Sequence, residues 1–501
     1  MILLTLIGGI LRLYNIESSL AFLGDQGRDA SIVRRLITDG DIILVGPTTS
    51  VGKIQLGPLY YYFMAPWLWF FNFDPIGPAI GVALVGTITI PLLFFVTRSM
   101  FGTTASLITT SLYTFGAVII FHTRSSWNPN PMPIVIILML WAFYQAYQNK
   151  RYRYITLAWV AYAIALQLHY MVLVLAPFFA IMHLLIIYSI QENNEPNTPS
   201  PSSRFQGLRS PQAVQIYQSI AMGIAAFIIF AIPLIVFDFR HNYLNLNGFL
   251  EFFDKGHHTS SNIWESVKGV EGRMFQSIGM PLGTEPNYTL RNTGSWILMV
   301  AFFGYSLRHW KNKAIQIIAL FITVSTIGLS VYSGDVFEHY IAYVFPIPFI
   351  MVGIICASLI KTKNIALQGF AILIVIGLLV LNVSRYPQKY PTFGWQLDDI
   401  EATSQKIAQD IGPTTAYNIS LLDDTHDYRA MNYRYFAELS NTNLLPQDSY
   451  QDAQVLYLIT TRPEFDLETI NVWEIQSFPG KTITKQWELD TNLWMYKIEK
   501  P

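Results

Sequence analysis

Between two apolar stretches near the N-terminus lies a polar interruption, Leu23 to Leu36 (LGDQGRDASIVRRL), which gathers Asp25, Arg28, Asp29, Arg34 and Arg35. The chain as a whole is only 13% charged. Ionisable side chains beside bilayer hydrocarbon are costly to desolvate, so such a cluster marks a functional site by default. A carboxylate in it can take a proton from an attacking hydroxyl, and a guanidinium can bind two oxygens of a phosphate at once. Structural roles compete. Asp25 can cap a helix beginning near Gln26, and Asp29, one helical turn on, can pair with Arg28 or Arg34.

The rest of the sequence supplies the bilayer. Hydrophobic residues make up 52% and aromatics 15% of 501 residues, and the mean hydropathy is positive; a soluble protein of this length carries about twice the charge fraction. The chain reads as an integral, multi-pass membrane protein. A net charge of −1 predicts no nucleic-acid partner. The single cysteine, Cys356, excludes an intrachain disulfide and a thiolate metal site. Met1 to Ile10 has neither the basic start nor the cleavage site of a signal peptide.

Apolar segments at 76–97, 103–121, 132–148, 154–169, 171–190, 216–237, 294–307, 314–332, 340–360 and 364–382, with the first helix, predict about 11 spans, and at most about 13. Lys150, Arg151 and Arg153, then Arg308, Lys311 and Lys313, then Lys361 and Lys363 fall in connectors of one parity, the cytoplasmic one. The Pro-, Ser- and Asn-rich stretch 191–214 joins them as a cytoplasmic linker. The first loop (14–57), the turn His122 to Asn130, the hairpin His169-Tyr170, the loop 239–293 and the turn ending in His339-Tyr340 fall on the other side. Pro58 to Phe73, short and holding Pro66, reads as re-entrant or juxtamembrane. From Tyr386 the composition turns polar. DDIEATSQKIAQDIG has helical spacing, and QVLYLITT and LWMYKIE read as strands. The expected organisation is therefore an all-α polytopic membrane domain, 1–385, followed by a small extracytoplasmic α/β domain, 386–501.

No phosphate loop, dinucleotide fingerprint, HExxH or CxxC is present in the sequence. A transporter remains the alternative. Transporters place charges at the bilayer midplane, whereas here nearly all fall in connectors.

The order LRLYNI, then FLGDQGRDA, then DIILVGPTTSVGKIQLGPLYYYFMAP resembles the first extracytoplasmic loop of the GT-C glycosyltransferases, in particular the protein O-mannosyltransferase and aminoarabinose-transferase branch (glycosyltransferase family 39-like). In that family an acidic pair follows the first helix, and a small-residue and proline segment re-enters the membrane before an aromatic run. Asp25 falls on the family's catalytic aspartate and Gly57-Pro58-Leu59 on its proline segment. Gln26 stands where the family usually has Glu, and no lysine directly precedes Gly57. The motif FEHYIAYVFP resembles the helix start that approaches the lipid phosphate.

The resemblance implies an inverting transferase that takes a sugar from a polyprenyl-phosphate donor and passes it to a hydroxyl of a protein, lipid or cell-wall glycan. Its expected place is a prokaryotic plasma membrane, with the active site extracytoplasmic and the 386–501 domain covering the membrane cavity and selecting the acceptor; the alternative from another class is a flippase or transporter for lipid-linked saccharides. Asp25 is then the catalytic carboxylate, with Asp29 as a second acidic or acceptor-side residue. Arg28, His122, Arg124, His169, His339 and Tyr340 are the candidates for the donor phosphate and sugar. Trp127 is either an interface anchor or a sugar platform. No cofactor is implied with certainty, and a divalent metal stays open because wider members of the superfamily hold one on acidic loops. His257-His258 lacks carboxylates at ligand spacing.

Overall fold

A computed structural model describes residues 1–49, 54–194, 210–254, 263–283, 288–332, 334, 336–386, 395–440, 442–480, 482–490 and 492–500. Among them, helices Ile76–Phe101, Pro211–Arg240, Lys313–Val331 and Ile365–Val383 and the helical run Tyr170–Ile190 are long and apolar enough to cross a membrane. Ile2–Leu13, Met132–Tyr147, Tyr154–Leu168 and Pro346–Ile360 are shorter apolar helices. The stretch 103–121, expected as one span, breaks at Gly116 into Thr103–Phe115 and Ala117–His122. The Pro58 region forms helix Leu59–Phe70, whose 12 residues extend only about 18 Å, too little to cross hydrocarbon about 30 Å thick. It buries Tyr60, Tyr61, Met64 and Leu68.

The basic connector Lys150–Arg153 and the Asp25 region lie at opposite ends of the bundle. Lys150 to Arg153 join the end of Met132–Tyr147 to the start of Tyr154–Leu168. There Lys150 Nζ donates to the Ser189 carbonyl (3.2 Å) and Lys313 Nζ to the Tyr147 carbonyl (3.2 Å). At the far ends of the same helices, the Asn128 amide donates to the Leu168 carbonyl. His169 follows directly and accepts the Met171 N–H on Nδ1 (3.1 Å), capping the turn Tyr170–Leu175.

The polar C-terminal region contains helix Leu397–Ile411, ended by Gly412 at φ 71°, helix Met431–Leu439 and a four-stranded sheet. Its strands β1 (Tyr417–Leu422), β2 (Val455–Thr460), β3 (Thr482–Asp490) and β4 (Leu493–Glu499) lie in the order β1-β2-β4-β3. β1 and β2 are parallel, and both β2 and β3 pair antiparallel with β4. The runs QVLYLITT and LWMYKIE supply β2 and β4. Every residue of β1 and β2 is buried, so these strands lack the alternation of a half-exposed sheet.

This region is not a detached unit. Its hydrophobic core continues into Ile16, Leu20, Phe22 and Ala30 and into Ala79 and Ala83. The Phe22 N–H donates to the Trp395 carbonyl (2.8 Å), and the Leu397 N–H donates to the Leu20 carbonyl (3.1 Å). Phe22 meets Tyr435 and Phe436 edge to face.

Candidate active site

Asp25 stands in the first turn of helix Gly24–Thr38, whose N-cap is Leu23. The cap is closed by Gln26, whose Oε1 accepts the Leu23 N–H (3.0 Å); this is the reciprocal half of a capping box. Gln26 thus has a structural task, and the Asp25 carboxylate is left outside the cap. Asp25 Oδ1 accepts from Arg28 Nη1 at 2.8 Å, and its side chain is 51% exposed. Among the described residues no other donor reaches it.

Arg28 bridges two carboxylates. Its Nε and Nη2 donate to Oδ1 of Asp29 at 3.0 and 2.8 Å, and Tyr61 donates to the same oxygen at 2.8 Å. Asp29 is therefore a buried ion-pair partner rather than a solvated one. Burial pushes its carboxyl up to about 6, which leaves it ionised at neutral pH beside Arg28. Tyr60, the neighbour of Tyr61, hydrogen-bonds Ser126 (2.8 Å). The aromatic run of Leu59–Phe70 thereby ties the Asp25 helix to the 122–130 turn.

A cavity of about 460 Å³ opens beside Asp25 and Arg28. One wall is polar and aromatic: Trp127, Asn128, His169, His339 and Tyr340. Trp127 stacks on His339 with centroids 3.9 Å apart, and Tyr340 lies 4.5 Å from the His169 ring. Leu173, Val174, Phe249, Phe252 and Val331 add an apolar part to the lining. Burial pushes the His169 ring down to about 4, and burial with its neighbours His169 and His122 holds His339 lower still. Both rings are neutral at pH 7. With Nδ1 of His169 accepting from Met171, the His169 proton resides on Nε2.

Between the helices, Pro47, Thr48 and Thr49 face Ile54 and Leu56 across a short antiparallel bridge at Thr48 and Gln55, and five of these line the cavity. Tyr170 and Asn245 both donate to the Gln55 carbonyl (2.8 and 3.2 Å).

The remaining candidates stand behind the wall. His122 pairs with Glu338 (3.3 Å), linking the 122–130 turn to the His339 loop. Arg124 is spent on the end of the first helix: it donates to the carbonyls of Leu11, Tyr14 and Asn15 at 2.9, 2.9 and 2.8 Å and to Ser19. Sequence reasoning missed Glu338, Asn128 and the Phe249-Phe252 pair. The 239–293 loop folds in part into the helix Leu244–Asp254, and its aromatic positions were the available signal. Among the described residues no three His, Cys, Asp or Glu side chains gather as a metal site; His257 and His258 lie outside the described residues.

Residues 55–194 match the family described as dolichyl-phosphate-mannose-protein mannosyltransferase. No curated protein matches the chain. Among solved structures, ArnT from Cupriavidus metallidurans bound to undecaprenyl phosphate is similar with a TM-score of 0.60 at 12% identity, covering 99% of this chain and 97% of that one. The same protein in the apo state gives 0.58 at 11% identity, with the same coverage. The Archaeoglobus fulgidus oligosaccharyltransferase in the apo form gives 0.50 at 12%, covering 93% of this chain and 69% of that one.

Proposed function

We propose that this chain, which carries the GT-C fold, is an inverting glycosyltransferase that moves a sugar from a polyprenyl-phosphate donor to an acceptor hydroxyl at the extracytoplasmic membrane face. One observation carries the reading. A half-exposed carboxylate, Asp25, stands at a cavity lined by both polar-aromatic and apolar side chains, at the end of the helices opposite the basic connectors. Basic connectors face the cytoplasm, so the cavity faces outward.

In the proposed reaction the acceptor oxygen attacks the anomeric carbon from the side opposite the phosphate. The new O–C1 bond forms as the C1–phosphate oxygen bond breaks, and the polyprenyl phosphate leaves. Asp25 orients the acceptor hydroxyl and takes its proton. Arg28 fixes the Asp25 carboxylate, and Asp29 with Tyr61 fixes Arg28. The leaving phosphate accumulates charge and needs donors; His169 and Tyr340 supply them. Trp127, held by His339, presents a flat face to the sugar, and the apolar lining residues suit the isoprenoid. His122 and Arg124 act as positioning residues. The family match and the ArnT likeness, in a structure bound to undecaprenyl phosphate, support the donor class.

Purified protein incubated with a panel of polyprenyl-phosphate sugars and acceptor peptides, lipids and glycans, followed by mass spectrometry, tests this. Acceptor mass gain with loss of the matching donor is expected. Donor carried across vesicles without transfer to any acceptor would favour the flippase instead.

A further inference from the structure

The end of the bundle remote from Asp25 carries a further cavity. Lys150, Arg151 and Arg153 share a cavity of about 600 Å³ with Gln215 and Gln218, between the start of Tyr154–Leu168 and the first turns of Pro211–Arg240. It continues into an apolar cavity of about 500 Å³ lined by Leu157 and Val160, the two sharing Arg153, Ser219 and Met222. Cationic head and apolar body therefore form one surface.

Arg151 and Arg153 are exposed, and among the described residues no carboxylate pairs with either. Arg153 leans over the Tyr154 ring at 5.4 Å, which holds the guanidinium at the cavity. Lys150 adopts a left-handed backbone, φ 57°. That conformation is unfavourable for a residue with a Cβ and would suit glycine, yet a lysine occupies it and is anchored on Ser189. The flanking helix Pro211–Arg240 is peripheral: its most apolar window is only 6% buried, and Met222, Ile228 and Ile229 are exposed. The groove thus opens sideways to lipid rather than inward to the bundle.

We infer that this surface binds one anionic phospholipid of the cytoplasmic leaflet, its phosphate on Arg151 and Arg153, its glycerol region on Gln215 and Gln218, and an acyl chain along Leu157, Val160 and Met222. Basic pockets between spanning helices on the cytoplasmic side have this chemistry. A basic connector that only sets topology needs no adjoining cavity, no polar lining and no apolar continuation.

Native mass spectrometry of the full chain, exchanged into bilayers of equal phosphatidylglycerol and phosphatidylcholine, reads the retained lipid directly. The wild type is expected to retain phosphatidylglycerol over phosphatidylcholine. The double variant Arg151→Gln/Arg153→Gln should lower that preference about ten-fold, and Val160→Trp, which fills the apolar part and leaves the charges, should lower it as well. Thermal melting checks that both variants are folded. An unchanged preference in the arginine variant, or none in the wild type, would overturn the inference. Displacement of the lipid by millimolar glycerol 3-phosphate would reassign the site to a soluble anion and overturn it equally. Sugar transfer at Asp25 is assayed separately, so failure here leaves the proposed function standing.

Discussion

Gly27 faces the backbone of Asn432 so closely that a Cβ on Gly27 would stand 2.5 Å from the Asn432 Cα. Asn432 Nδ2 also donates to the Phe22 carbonyl (3.2 Å). The helix that presents Asp25 and Arg28 to the cavity therefore rests its other face on the C-terminal region. Gly27→Val must push the two apart, at a cost of about 1 to 3 kcal/mol typical of overpacking. A lower melting temperature and a reduced turnover, with donor KM little changed, are the expected outcomes in calorimetry and steady-state kinetics. A variant with wild-type melting and turnover would remove this support.

Asp427, on the same contact, accepts the Met431 N–H at 2.8 Å. Burial pushes its carboxyl up to about 6, the Met431 N–H opposes the rise, and Asp25 and Asp423 add to it. A carboxyl raised in the folded state holds its proton better there than when unfolded, so it adds stability as pH falls from about 7 to about 5. Asp427→Asn removes this contribution. Melting temperatures at the two pH values should show a smaller gain on acidification in the variant than in the wild type. An identical gain in both contradicts the assignment.

Trp127 stacks on His339 at the cavity wall, and aromatic pairs are worth about 0.5 to 1.5 kcal/mol beyond area burial. Trp127→Ala should weaken donor binding about two- to ten-fold with a smaller effect on kcat. A pure kcat loss would move Trp127 from sugar platform to a role in the chemical step.

Arg124, spent on the carbonyls of Leu11, Tyr14 and Asn15, is expected to act through the fold. Arg124→Met strands those acceptors, at about 1 to 3 kcal/mol for each one that stays buried. Melting should fall while the folded fraction keeps its donor KM. Normal melting with lost donor binding would instead make Arg124 a phosphate ligand.

Hydropathy and turn chemistry made much of this legible. The apolar runs give the helices, the basic connectors lie together at one end, and Gly412 stops the helix that DDIEATSQKIAQDIG forecasts. The break at Gly116 escaped because an apolar run hides a kink. β1 and β3 escaped for opposite reasons: YNISLL is buried on both faces, and TITKQWELD is largely exposed, so neither shows clean alternation. At the site, Asp25 and its neighbours were legible because they adjoin in sequence. The His122–Glu338 pair, separated by 216 positions, and the Gly27–Asn432 contact were not, since only the folded chain brings them together. That contact also bears on the expected division of labour. With the core continuous from Phe22 to Tyr435, removing 386–501 strips the Asp25 helix of its backing, so point substitutions at the junction test the domain's role better than truncation does.

The central claim is that the Asp25 carboxylate does chemistry. Asp25→Asn preserves shape and the capping by Gln26 while removing the charge, and its sugar-transfer rate at saturating donor is the most direct test. A fall of about 10² to 10⁴, the usual worth of general acid–base catalysis, with unchanged melting and donor binding, is predicted. Turnover within a few-fold of wild type would contradict the account.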